Sequence, residues 1–383
     1  MSKYRVGFIG NGRPWKTEGA TGFGMNHAHA KGYRAHPATQ LVATCDVFAE
    51  RAELFAKEHG VEKVYTDYQK MLKNEKLDIV SISTWPHLHC EMVLAAAEAG
   101  VKAIHCEKPM ALTWGDAKRM VQACRDAGVQ LTFNHQRRFG EPFRRAKELL
   151  KSGAIGDLMR LEGCCGDLFD WGTHWFDMMF FYNDETPVDW VIGQIDLRGS
   201  RHIFGAPAEG QAISHFKFRN GVRGLMIAGH EASIGAGNRL VGTEGTIEVG
   251  VSNSVNLRFW GRGMSGWQVI PTAEGLHSDD MIRRGIFDLI SSLETKREPE
   301  LAARKALQAT EVIFATYESA RRRGRVDLPL DIDDSPIIDM LDKAGIEWRA
   351  SKEVMAGALP GGKAPTASAP AAPAAASAKK GRR

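Results

Sequence analysis

Between residues 4 and 133, short apolar runs alternate with amphipathic stretches, and no other feature of the chain restricts its fold so far. Apolar runs at 4–9, 40–45, 77–83, 101–106 and 130–133 read as strands buried on both faces. Helical stretches at 25–34, 47–59, 87–99 and 114–127 lie between them, with Gly60 and Gly100 as stops and Pro86 as a start. A short strand at 63–67 and a helix at 68–74 complete the series. Strands joined by helices of this length run parallel through right-handed crossovers. The prediction is an α/β chain with an N-terminal Rossmann parallel sheet.

In an open sheet of this kind ligands bind where the strands end. The first strand ends in Gly10-Asn11-Gly12, which begins a dinucleotide fingerprint, but Trp15 stands where the third glycine belongs. A second pair, Gly22-Phe23-Gly24, precedes the first helix. One economical account is a tight turn lengthened by an insertion at 13–21, with Gly10 and Gly12 making the turn and Gly24 opening the helix. Asp46 then ends the next strand, 22 residues beyond Gly24, close to the spacing of roughly 20 at which an acid bonds the ribose hydroxyls. An aspartate there repels a 2′-phosphate, so NAD is expected in preference to NADP, unless Arg51 swings toward the ribose. Thr84, Trp85 and His87 follow the third long strand. Glu107 and Lys108 follow the fourth, where Pro109 cannot extend a ladder. All are expected at one sheet edge, where Lys108 can hold an ammonium over a reacting oxygen.

Further on, Asp170, His174 and Asp177 stand at i, i+4 and i+7 in an otherwise apolar and aromatic stretch, 170–182. On a helix they share one face, and polar groups there must find partners or front a cavity. Asp177 is expected to be structural. Residues 134–139 leave the sheet, which makes Gln136 and Arg137 candidates for substrate hydroxyls or a carboxylate; Arg137-Arg138 as a solvated pair is the competing reading. Trp85, Trp171 and Trp175 lie beside these motifs and offer flat faces to a sugar ring. The pairs His27/His29 and His87/His89 lack thiolate partners or a complete ligand set, so no metal is expected.

The segment 83–89 (Ser-Thr-Trp-Pro-His-Leu-His), Glu107-Lys108-Pro109, the segment 134–139 (Asn-His-Gln-Arg-Arg-Phe) and Asp170-Trp171-Gly172-Thr173-His174 occur in this order. Together they resemble the Gfo/Idh/MocA oxidoreductases, over residues 4 to 330. The resemblance implies a Rossmann domain binding NAD(P) and a C-terminal domain whose open sheet mediates oligomers. It also implies that Lys108 is the catalytic lysine, with Asp170 and His174 the family's Asp-x-x-x-His pair. The chain departs from the family in the long 13–21 loop and in Trp85-Pro86, where many relatives carry Pro-Asn. The expected chemistry has His174, with a pKa near neutral, taking a proton from a substrate hydroxyl while hydride passes to nicotinamide. Lys108 steadies the alkoxide and Asp170 orients the substrate. The expected substrate is a sugar, sugar acid or cyclitol with a secondary hydroxyl. The alternative is a glycoside-cleaving enzyme that oxidises the ring transiently with no net redox.

The second half changes pattern. Strands are expected at 188–198, 212–219, 222–227, 239–249 and 255–260, with Asn220-Gly221 as a hairpin turn and helices at 279–295 and 302–323. This predicts a C-terminal α+β domain with a large open, mostly antiparallel sheet. The expected division is 1–133 for the cofactor, 134–335 for substrate and association, 336–356 as an extension, and 357–383 as a disordered Ala/Pro-rich basic tail. An open sheet face suggests a homodimer or homotetramer. The net charge of +4 arises in the tail, whose Lys363, Lys379, Lys380, Arg382 and Arg383 leave the remainder near −1. Composition therefore makes no case for a nucleic-acid partner. No apolar run reaches membrane-span length, and six cysteines without CxxC spacing read as reduced thiols, so a cytoplasmic protein is expected.

Overall fold

The computed structural model describes residues 3–348 except 15, 18, 19, 21 and 231; the expected tail at 357–383 lies outside the described residues. The first half runs β1 (Tyr4–Ile9), α1 (Met25–Ala35), β2 (Thr39–Cys45), α2 (Ala49–His59), β3 (Lys63–Tyr65), α3 (Tyr68–Glu75), β4 (Ile79–Ile82), α4 (Pro86–Glu98), β5 (Ala103–Cys106), α5 (Trp114–Asp126) and β6 (Gln130–Phe133). All six strands are parallel, in the order β3-β2-β1-β4-β5-β6. The order reverses between β1 and β4, and that switch point opens the crevice in which ligands sit. Local chemistry sets the helix ends. The Asp67 carboxylate accepts from the Gln69 and Lys70 amides, the Thr113 hydroxyl accepts from Asp116 N, and Gly60 ends α2 in the left-handed region. β1 shows why the strands read as apolar runs: Phe8 is fully buried, which stabilises the fold by about 1.5–3 kcal/mol.

The second half runs α6 (Glu141–Lys151), β7 (Leu158–Cys165), α7 (Gly172–Tyr182), β8 (Val188–Asp196), β9 (Arg201–Ile203), β10 (Ala206–Ala208), β11 (Gln211–Phe218), β12 (Arg223–Gly229), β13 (Asn238–Gly242), β14 (Thr246–Ser252), β15 (Val255–Trp260), β16 (Gln268–Val269), α8 (Asp279–Thr295), α9 (Ala303–Arg322), β17 (Val326–Asp327) and α10 (Pro336–Lys343). Nine of these strands form one sheet, antiparallel except for the β12–β7 pair, while β9 and β10 make a separate hairpin. The single strand expected at 239–249 is two strands, β13 and β14. Apolar alternation reads through the turn, but Gly242 N donates to Gly245 O at 2.9 Å and a side chain at Gly245 would stand 2.2 Å from Trp260 O. The two sheets fall on either side of residue 134. Even so, α8 from the second half sends Ile282, Ile286, Leu289 and Ile290 into the first half's core beside Val6, Phe8 and Tyr33. Among the described residues no helix is long and apolar enough to cross a membrane.

Candidate active site

Gly10, Gly12 and Gly24 lie together at the end of β1, each in the left-handed region. Gly24 caps α1, and a Cβ there would stand 2.4 Å from Arg13 O, so only glycine lets the lengthened turn fold back on itself. The Asn26 side chain fastens the turn by donating to Ile9 O and Gly10 O at 3.0 Å each. These three glycines form one wall of a cavity of about 840 Å³ that runs between the two halves of the chain.

Asp46 is on the same wall, with two of its hydrogen bonds going to the glycine turn. Its Oδ2 accepts from the Asn11 and Gly12 amides at 2.9 and 3.0 Å, and its Oδ1 from Phe48 N at 3.0 Å. A carboxylate offers about four lone-pair directions, so one remains for a hydroxyl. The Arg51 guanidinium lies 4.1 Å over the Phe48 ring, and its buried Nε has no partner among the described residues. Thr84, Trp85 and His87 line the adjoining wall. Glycines that admit close backbone approach, the amino end of α1, an acid with one free lone pair and this volume together fit a dinucleotide.

At the far end of the cavity, Lys108 Nζ meets Asp170 Oδ1 at 2.6 Å, with both side chains largely buried, and His174 lines the same space. The Lys108–Pro109 peptide is cis. Glu107 is on this wall too, but its carboxylate is already engaged, accepting from Asn134 Nδ2 at 2.6 Å and Lys108 N at 3.1 Å and lying 3.1 Å from His29 Nε2. Burial would raise its pKa. The bonds and charges of His29, Lys108 and Asn134 outweigh that and hold it at about 2. Glu107 therefore anchors the strand end that presents Lys108.

Three expectations about this end need correction. Asp170 does not share a helix with His174. It precedes α7, in a turn where its own amide donates to Asp167 Oδ1 at 2.6 Å and Trp171 N donates to the same oxygen at 3.2 Å. Arg137 is fully buried, stands outside the cavity wall, and lies 4.0 Å over the Trp175 ring, while Trp175 itself is in the core. No nitrogen of the Arg137 guanidinium has a partner among the described residues, and burial lowers its pKa to about 9. Arg138 is not solvated either. It grips Asp177 with two bonds of 2.8 Å and reaches Glu185 at 2.5 Å and Glu300 at 3.1 Å, which gives Asp177 the structural role expected of it. Gln136 does line the cavity, and its buried Oε1 has no donor among the described residues.

Burial, then the charges of Arg137 and Lys108, push the His174 imidazole well below its ordinary pKa, lower than the near-neutral value expected. Its Nδ1 is buried without a partner among the described residues, and its ring stands edge-on to His135 at 5.6 Å. Sequence reasoning missed three contributors. Asp167, pushed up to about 7 by burial and by Asp170 and Glu209, sets the turn that carries Asp170; an aspartate three residues before another amide was its available signal. His277 lines the cavity edge-on to Trp171 at 5.9 Å, and Phe204, between β9 and β10, closes the cavity near Gly22. Neither sits in a motif.

Residues 5–135 match the family described as "Oxidoreductase family, NAD-binding Rossmann fold". The D-apiose dehydrogenase of Paraburkholderia graminis is 41% identical over 134 residues, 35% of this chain and 35% of that protein, so the match spans about a third of its length. The myo-inositol 2-dehydrogenase of Thermotoga maritima is 28% identical over 262 residues, covering 63% of this chain and 74% of its own. The structure of a levoglucosan dehydrogenase in complex with NADH and L-sorbose matches with a TM-score of 0.73 at 22% identity, over 86% of this chain and all of that one. Residues 5–135 thus carry the sequence of a NAD-binding oxidoreductase family, and the two-sheet fold shared with the levoglucosan dehydrogenase extends over most of the chain.

Proposed function

We propose that this protein is an NAD-dependent dehydrogenase that oxidises a secondary hydroxyl of a sugar, sugar acid or cyclitol, or runs the reverse reduction. The reading rests on one observation above the others: Lys108, and Asp170 and His174 from the other half of the chain, line the same cavity as the glycine turn and Asp46. In it, residues 1–133 hold the cofactor, and 134–335 supply most of the substrate contacts and the surface for association. NAD, when bound, supplies the hydride acceptor. Lys108 Nζ, held by Asp170, directs an ammonium at the substrate oxygen and stabilises the negative charge that develops there. Asp170 keeps an oxygen for a neighbouring hydroxyl. His174 enters the reaction uncharged, and since its Nδ1 is the buried nitrogen, Nε2 takes the hydroxyl proton. Gln136 Oε1 accepts from another hydroxyl, and Trp85 and Trp171 lie along the ring face.

The relatives named above are dehydrogenases of an apiose, an inositol and levoglucosan, which supports a polyhydroxylated substrate and gives no support to glycoside cleavage. The outer face of the nine-stranded sheet leaves Ile192 and Ile213 about half exposed, which supports association into a homodimer or homotetramer through that face. All six cysteines are unpaired and five are buried, in keeping with a reducing cytoplasm. The test is a panel of sugars, sugar acids and cyclitols with added NAD, following reduced nicotinamide and product together. Substrate-dependent NADH formation, lost in Lys108→Ala and His174→Ala, is the expected result. Full turnover by both variants would sink the proposal.

A further inference from the structure

Away from the cavity, His27 of α1 and His59 at the end of α2 face each other beside Glu58. His27 Nδ1 is 3.0 Å from His59 Nε2 and 3.0 Å from Glu58 Oε2, and His59 Nε2 is 3.5 Å from Glu58 Oε1. The two imidazoles are buried against Phe55, at ring separations of 5.0 and 4.5 Å, while Glu58 is partly exposed. No proton arrangement satisfies the trio while Glu58 is ionised. If both near nitrogens carry a proton to meet the carboxylate, two N–H groups oppose each other across 3.0 Å. If one carries a lone pair to accept from the other, that lone pair is set against a carboxylate oxygen.

We infer that His27 Nδ1, His59 Nε2 and the Glu58 carboxylate form a binding site for a zinc-class divalent cation, completed by water, which ties α2 to α1. A cation at their centre attracts all three sets of lone pairs at once. The spacing suits it: ligand atoms about 2.0–2.1 Å from a tetrahedral zinc stand about 3.3 Å apart; here the two imidazole nitrogens are 3.0 Å apart, and each has a Glu58 oxygen near it, Oε2 at 3.0 Å from His27 and Oε1 at 3.5 Å from His59. The set of two imidazoles and one carboxylate is a borderline one that favours zinc over calcium or magnesium. Burial lowers the pKa of both histidines and so keeps them in the uncharged form a metal needs. Two features limit the affinity. His27 Nε2 and His59 Nδ1 have no partners among the described residues to orient them, and the charges of Lys31 and Arg34 lie close enough to act on His59. The site is structural and separate from the redox chemistry. It holds the helix whose first residues border the cofactor cavity.

The experiment uses the full chain, stripped with a chelator and titrated with Co²⁺ as a visible-absorbing probe and with Zn²⁺ by calorimetry. The expected result is saturable uptake of one ion per chain, with the strong visible bands of tetrahedral cobalt and a rise in Tm on adding Zn²⁺. Glu58→Gln, at an exposed position where folding is undisturbed, weakens uptake at least tenfold, and His59→Leu abolishes it. Absence of saturable uptake in the unaltered chain, or uptake that is the same in all three proteins, would overturn the assignment.

Discussion

The two ends of the cavity are built in opposite ways. At the proposed nucleotide end Gly10, Gly12, Asp46 and Thr84 follow strand ends of one sheet, and the bonds that shape the turn run between backbone and short side chains: Gly12 N to Asp46, Asn26 to Ile9 O and Gly10 O. At the proposed catalytic end, contributors come from residues 108, 136, 170, 174 and 277, and charge decides the geometry. Lys108 meets Asp170 across 62 positions of sequence, and buried Arg137 and Arg138 lie behind it. The nucleotide end therefore depends on conformational freedom, and the catalytic end on balanced burial of charge. A substitution that adds bulk should damage the first, and one that removes a charge should damage the second.

The largest effect should come from the reacting groups. Lys108→Ala and His174→Ala should each lower kcat about 10²–10⁴-fold while leaving NAD affinity, read by fluorescence titration, within a few-fold of the parent. A parallel loss of NAD affinity would mean that the two ends are not separable. Next comes Arg138→Ala, which leaves Asp177 buried and unpaired. It should destabilise the fold by about 3–5 kcal/mol, measured by urea unfolding. At the nucleotide end, Gly24→Ala forces a Cβ against Arg13 O and should weaken NAD binding about tenfold or more, with kcat at saturating NAD largely kept. Asp46→Asn removes the charge facing a 2′-phosphate while leaving one oxygen to accept from the Asn11 and Gly12 amides, and should narrow the NAD over NADP preference about tenfold in kcat/KM.

The smallest effect concerns pH. Because the folded protein lowers the His174 pKa, the neutral imidazole persists as pH falls through 6.5. The acidic limb of kcat/KM, which reports the free enzyme, should therefore lie below pH 6.5, leaving the rate nearly flat between 6.5 and 8. A limb centred at 6.5 or above would show that the charges behind the catalytic end do not act on this histidine.

Much of the nucleotide end was legible from the residues alone. The alternation of strands and helices dictates a parallel sheet, and a parallel sheet brings Gly10, Asp46, Thr84 and Glu107 to one edge whatever the rest of the chain does. Even the lengthened turn could be read, because Gly24 is needed where the chain folds back on Arg13. Residues 136 to 177 were harder. Helical spacing implied a shared face for Asp170 and His174, yet the Asp167 side chain captures two amides and holds Asp170 in a turn before the helix begins. Arg137 and Arg138 look alike as a sequence pair, but both are buried and only Arg138 meets carboxylates, on Asp177, Glu185 and Glu300.

By itself, the sequence determined the parallel sheet, the family likeness of its first half and the lysine and histidine that flank the proposed reaction, because periodicity and short motifs are local properties. Only the tertiary structure decided which charges are buried with partners and which without, and that His27 of α1 and Glu58 and His59 of α2 converge. Coulomb energy and desolvation depend on distance and exposure, and neither is a function of position along the chain.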